Sequence, residues 1–120
     1  MNFDIKTEQL ANDTYAISLS GEIDLYTAPE LKQELHRLVA EGATRVVVDM
    51  TQTTFIDSTT LGVLVGGLRR LRAADGELTI VCSDPNITKI FEITGLDRVF
   101  DLVRTRDEAL PHLSDTTPHS

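Results

Sequence analysis

Asp57-Ser58-Thr59-Thr60 is the run in this chain best suited to do chemistry. A carboxylate is followed by three hydroxyls, and then Leu61, Leu64, Val65, Leu68 and Leu71 repeat at helical spacing. A hydroxyl at the start of such a helix sits among unpaired backbone N–H groups and the positive end of the helix dipole. A phosphate is welcome there, yet it adds about two negative charges to the surrounding surface. That is the chemistry of a switch rather than of a catalyst. The plainer alternative is that Asp57 or Ser58 merely caps the helix, and the four residues taken alone favour it.

Other candidates carry less. Asp49 follows Val46-Val47-Val48 and reads as the end of a central strand, where a phospho-accepting aspartate would sit. The acidic pair and the late lysine that such a site needs are missing: Asn12-Asp13 follows the first strand, and Lys89 falls inside a helical pattern. Asp49 is therefore expected to be a strand-end or capping residue. His36, His112 and His119 show no metal-ligand spacing, and a single cysteine, Cys82, reads as a small buried hydrophobe. Gly62-Val63-Leu64-Val65-Gly66-Gly67 falls inside a helix and lacks a phosphate-loop ending. Ser58 is not in a Gly-x-Ser-x-Gly elbow. No cofactor and no catalytic set is expected.

The elements that must position Ser58 follow from periodicity. Phe3 to Lys6 alternates, Asn12-Asp13 turns the chain, and Tyr15, Ile17 and Leu19 alternate again, which predicts an opening hairpin. Gly21-Glu22-Ile23-Asp24 lies where the second strand leaves the sheet. Thr27-Ala28-Pro29-Glu30 predicts a helix start with a capping box, and Leu31, Leu35, Leu38 and Val39 continue it to Gly42. The β-branched run Val46–Val48 predicts a strand covered on both faces, followed by a polar exposed loop, Thr51-Gln52-Thr53-Thr54. Glycines 62, 66 and 67 are expected to let the next helix pack closely on the sheet. Leu78 to Cys82 reads as a strand, Asp84-Pro85 as a capped helix start, Gly95 as its end, and Val99 to Leu102 as a short edge strand. A weak helical pattern spans Thr105 to Leu113.

The order β-β-α-β-α-β-α-β-α predicts an α/β fold, a mixed β-sheet with helices packed against it. At 120 residues a single domain is expected over residues 1–113, with a disordered tail over 114–120. The net charge of −8 disfavours nucleic acid and anionic membrane surfaces as partners. The amino terminus lacks a signal-peptide pattern, so a cytoplasmic location is expected.

In combination, three pieces of the chain resemble the STAS domains, and among them the bacterial anti-sigma factor antagonists. Leu19-Ser20-Gly21-Glu22-Ile23-Asp24 is similar to the family's Gly-Glu-Leu/Ile-Asp element. Asp57-Ser58-Thr59-Thr60-Leu61-Gly62 is similar to its Asp-Ser-Ser-Gly-Leu-Gly motif. Phe91-Glu92-Ile93-Thr94-Gly95-Leu96 is similar to its later Phe-x-x-x-Gly-Leu element. The resemblance covers residues 3 to 110 and implies a binding module, not an enzyme. It implies that the partner is an anti-sigma factor, a serine kinase of the ATPase fold, whose sigma factor is released on binding. It further implies that this kinase phosphorylates Ser58 and that a PP2C-type phosphatase reverses the step. Asp24, Asp57, Ser58 and Thr59 are implied to lie on the partner-binding surface. Thr59 and Thr60 replace the motif's Ser and Gly, and Thr60 puts a β-branched side chain where glycine permits close backbone approach. The alternative is an unphosphorylated STAS scaffold or ligand-binding module in a larger signalling or transport assembly.

Overall fold

The structure, a computed structural model, describes residues 3–109. Strand β1, Phe3–Ala11, alternates half-buried and exposed residues, as an edge strand covered on one side does. It turns at Asn12-Asp13 and pairs antiparallel with β2, Thr14–Ile23. Strands β3 (Arg45–Ile56), β4 (Glu77–Val81) and β5 (Asp101–Val103) then add in parallel, in the sheet order β1-β2-β3-β4-β5. Helices α1 (Ala28–Ala40), α2 (Ser58–Ala73) and α3 (Pro85–Ile93) connect the parallel strands. Because each crossover steps one strand in the same direction with the same hand, the three helices share one face of the sheet. Leu31, Leu35, Leu64, Leu68, Ile87 and Phe91 meet Ile17, Leu19, Val48 and Ile80 there in the main apolar cluster.

The opposite face carries a smaller cluster, Ala16, Val47, Val81 and Ala109, under the short helix α4, Arg106–Ala109. This explains the unbroken valine run. Val46 and Val48 face the three helices and Val47 faces α4, so all three are buried. The expected order of elements is present, with a short 3-10 turn, Leu96–Arg98, added before β5. Asp84 caps α3 by accepting from the Asn86 amide at 2.8 Å, and Pro85 occupies its first turn. The turn into β4 needs Gly76, where a Cβ would lie 2.5 Å from the Thr44 carbonyl oxygen.

Three expectations are corrected. Thr51 to Thr54 is not a loop: β3 continues through Ile56, pairing Gln52 with Ser20 and Thr53 with Gly21 across an irregular register. Thr53 is buried, and its hydroxyl donates to the Leu19 carbonyl at 2.9 Å. Asp49 accordingly lies within the strand, not at its end. Of the α2 glycines, Gly67 is the one in close contact, and it packs against α1 rather than the sheet: a Cβ there would come 2.8 Å from Leu35 Cδ1. The expected domain end at residue 113, the tail 114–120, His112 and His119 lie outside the described residues. Among those described, no helix is long and apolar enough to cross a membrane.

Candidate functional site

Strands β2 and β3 end in register, with Ile23 paired to Ile56. Asp24 and Asp57 are the next residues, so parallel pairing delivers both to the same edge of the fold. Each then opens a helical turn. The Asp57 carboxylate accepts from the Thr60 amide at 3.0 Å and is the N-cap of α2. Asp24 accepts from the amides of Tyr26, at 2.9 Å, and Thr27, at 3.2 Å, while the Thr27 hydroxyl accepts from the Asp24 amide at 2.8 Å. This reciprocal pair is a capping box with threonine in the place usually held by Glu or Gln. It corrects the expected Thr27/Glu30 box: Thr27 makes no side-chain cap of its own, because its hydroxyl is turned back to Asp24.

Thr60 joins the two halves. Its side chain is fully buried, and its hydroxyl donates to the Ile23 carbonyl at 2.9 Å, with the Asp57 carboxylate also within reach at 3.1 Å. The methyl group that replaces the motif's glycine therefore points into the fold. It leaves the approach to Ser58 clear.

Ser58 is the first residue of α2 and is exposed, as is Thr59. Among the described residues, the Ser58 hydroxyl has no hydrogen-bond partner, since Asp57 does the capping. Within the pair, Asp57 holds the helix and the Ser58 hydroxyl takes no part in capping it. Three exposed apolar side chains that sequence reasoning missed flank the two aspartates along the chain. Leu25 is 56% exposed, Tyr26 79% and Phe55 48%. Their signal is visible in retrospect, as large apolar residues interrupting polar stretches beside Asp24 and Asp57. Large exposed apolar side chains are thus present on both sides of the site, next in sequence to Asp24 and two residues before Asp57.

The other candidates are accounted for structurally. Burial pulls the Asp49 carboxyl upward, but hydrogen bonds from the Thr51 hydroxyl and amide and from Arg106 outweigh this and hold it below the usual carboxylate range. Burial pushes the Cys82 thiol up, away from the reactive thiolate form. Among the described residues, no three His, Cys, Asp or Glu side chains converge as metal ligands do.

Comparison with known proteins gives a consistent result. The family model of the STAS domain matches residues 4–109. An anti-sigma-B factor antagonist of Listeria monocytogenes is 33% identical over 108 residues, which cover 90% of this chain and 95% of that protein. The crystal structure of an anti-sigma factor antagonist from Mycobacterium paratuberculosis superposes with a TM-score of 0.83 at 31% identity, over 92% of each chain. The Bacillus cell fate determinant SpoIIAA in its phosphorylated form superposes with a TM-score of 0.74 at 22% identity. It is covered over 99% of its length by 92% of this chain, a likeness of fold.

Proposed function

The chain belongs to the STAS domain family, and from that membership we propose that it is an anti-sigma factor antagonist switched by phosphorylation of Ser58. In this reading it is a binding module, not an enzyme. Its partner is an anti-sigma factor serine kinase, and its place of action is the cytoplasm. Asp24, Asp57, Ser58 and Thr59, rimmed by Leu25, Tyr26 and Phe55, form the binding surface. A relative at 33% identity over nearly its whole length is named an anti-sigma-B factor antagonist, which supports this.

The observation that carries the switch is the division of labour at the start of α2. Asp57 satisfies the helix, so the exposed Ser58 hydroxyl can be modified without uncapping it. A phosphate on Ser58 lies at the positive end of α2, so the fold tolerates it. Toward a partner the same group is a bulky dianion added beside Asp57 and Asp24, and it must be desolvated as the interface closes. A loss of about 3 kcal/mol weakens binding by more than a hundredfold. No change of fold is needed. A PP2C-type phosphatase resets the surface by removing the charge.

Incubation with the cognate kinase and ATP, followed by peptide mass spectrometry, tests the assignment. One phosphate is expected on Ser58, with none on Thr59 or Thr60. A kinase active on another substrate that leaves Ser58 unlabelled overturns it.

A further inference from the structure

Between α1 and α2 runs a groove of about 380 Å³ lined by Lys32, His36 and Arg70 together with Gly62 and Gly66. Thr59, the neighbour of Ser58, also lines it, so the groove is continuous with the candidate binding surface. Its charge runs against that of the molecule. The chain has 19 acidic residues and 11 lysines and arginines. Some cations elsewhere are neutralised: Arg37 pairs with Glu34 and Glu41, and Arg106 with Asp49 and Glu8. Lys32, His36 and Arg70 have no ion-pair partner among the described residues. Partial burial, Arg70 and Lys32 together disfavour protonation of His36, as expected inside an unopposed positive field.

Gly62 and Gly66 are one turn apart on α2. A Cβ at either meets nothing within 4 Å, in contrast to Gly67, whose place is dictated by Leu35. Glycine weakens a helix interior, and no packing among the described residues requires it at 62 or 66. A backbone approaching closely from outside is a use that glycine at these positions permits.

We infer that this groove docks an acidic segment of the partner protein that reaches Ser58, its carboxylates pairing with Lys32 and Arg70 and its backbone passing over Gly62 and Gly66. The inference rests on the anti-sigma reading for the identity of that partner. Arginine offers a carboxylate a bidentate pair, which fixes direction as well as strength. Docking here engages side chains other than Ser58, so the groove and Ser58 contribute separately to affinity.

The probe is the purified anti-sigma-B factor of Listeria monocytogenes, titrated against four full-length proteins: wild type, Lys32→Glu/Arg70→Glu, Gly66→Met and Ser58→Asp. The charge reversal is expected to weaken binding at least tenfold, and less at high ionic strength. Gly66→Met is expected to weaken it about tenfold while its melting temperature holds or rises, because methionine is the better helix former. Groove variants that bind like wild type, with Ser58→Asp impaired, overturn the groove and leave the anti-sigma reading standing. If the probe binds none of the four, a glutamate-rich helical peptide is titrated into the isotope-labelled wild type and charge-reversed proteins. Amide shifts at Lys32, Gly62, Gly66 and Arg70 that vanish on charge reversal support the groove and place the failure on the anti-sigma reading. No shifts at those amides overturn the groove itself.

Discussion

Strand β3 carries two aspartate clusters, one within it at Asp49 and one just past its end at Asp57, and they use similar residue types to opposite ends. At Asp49 the carboxylate accepts from Arg106 Nε at 2.8 Å and from the Thr51 amide at 3.0 Å. The same guanidinium reaches the Ser18 hydroxyl at 2.7 Å and Glu8 at 3.0 Å. All three guanidinium nitrogens of Arg106 are engaged from within the chain, and so is the serine of that cluster. At Asp57 the carboxylate is held by the amide and hydroxyl of Thr60, with no cation within ion-pair distance among the described residues. The serine beside it is exposed and unbonded. The first cluster is closed and fastens α4 to the sheet. The second is open, so its charge and its hydroxyl remain available to another molecule.

The largest expected effect separates the two clusters by what they control. Ser58→Asp is expected to lower affinity for the anti-sigma factor by about a hundredfold, roughly 3 kcal/mol. It is expected to leave the unfolding free energy unchanged or slightly raised, by about 0.5 kcal/mol, since a carboxylate suits the first turn of a helix. Ser58→Ala should bind like wild type. Calorimetric titration and urea denaturation on the same samples check both halves. Equal affinity of the Asp and Ala variants removes the electrostatic switch.

Arg106→Ala makes the converse case. It leaves the Asp49 carboxylate, only 15% exposed, without its cation, and about 2 kcal/mol of stability is expected to be lost with partner affinity unchanged. The effect carries a pH dependence whose sign follows from Asp49. Its carboxyl is held below the ordinary 3.8 in the folded protein. The stabilisation is therefore complete above about pH 5 and is lost as pH falls through the folded value. The gap in stability between wild type and Arg106→Ala should narrow on acidification below about pH 4. A gap that is constant from pH 7 to pH 3 means that Arg106 acts by packing alone.

The contrast between the clusters also explains what could be read from the sequence. The order of elements was legible because an alternating or unbroken apolar run gives way to a spacing near 3.6 where the helices begin, and Asp84-Pro85 and Gly95 mark α3 with local chemistry that the structure retains. The later half of β3 was not legible. Thr51-Gln52-Thr53-Thr54 has no apolar alternation, and what makes it a strand is pairing with β2 across an irregular register. The Arg106 clamp joins residues 57 positions apart on a face that carries little apolar signal. At the open site, Ser58 and the two aspartates were legible as residue types. Which of them capped was not: Asp57 and Ser58 both suit an N-cap, and before α1 Thr27-Ala28-Pro29-Glu30 and Asp24-Leu25-Tyr26-Thr27 are competing boxes in one stretch.

The smallest expected effect concerns whether the two halves of the open site work as a unit. The Thr60 hydroxyl has one proton, directed to the Ile23 carbonyl at 2.9 Å or shared with the Asp57 carboxylate at 3.1 Å. Thr60→Val keeps the buried volume and the branching but removes that proton, and about 1 kcal/mol of stability should go with it. Thr60→Ser keeps the proton and loses a buried methyl group, at a similar cost of about 0.8 kcal/mol. The two variants are thus matched in stability and differ in whether the end of β2 remains tied to the start of α2. If Asp24 and Asp57 must be held together for a partner to bind them, Thr60→Val weakens affinity severalfold and Thr60→Ser does not. Titration of the two variants side by side decides it. Equal affinities would mean that Thr60 stabilises the fold alone, and that each aspartate is positioned by its own capping interactions.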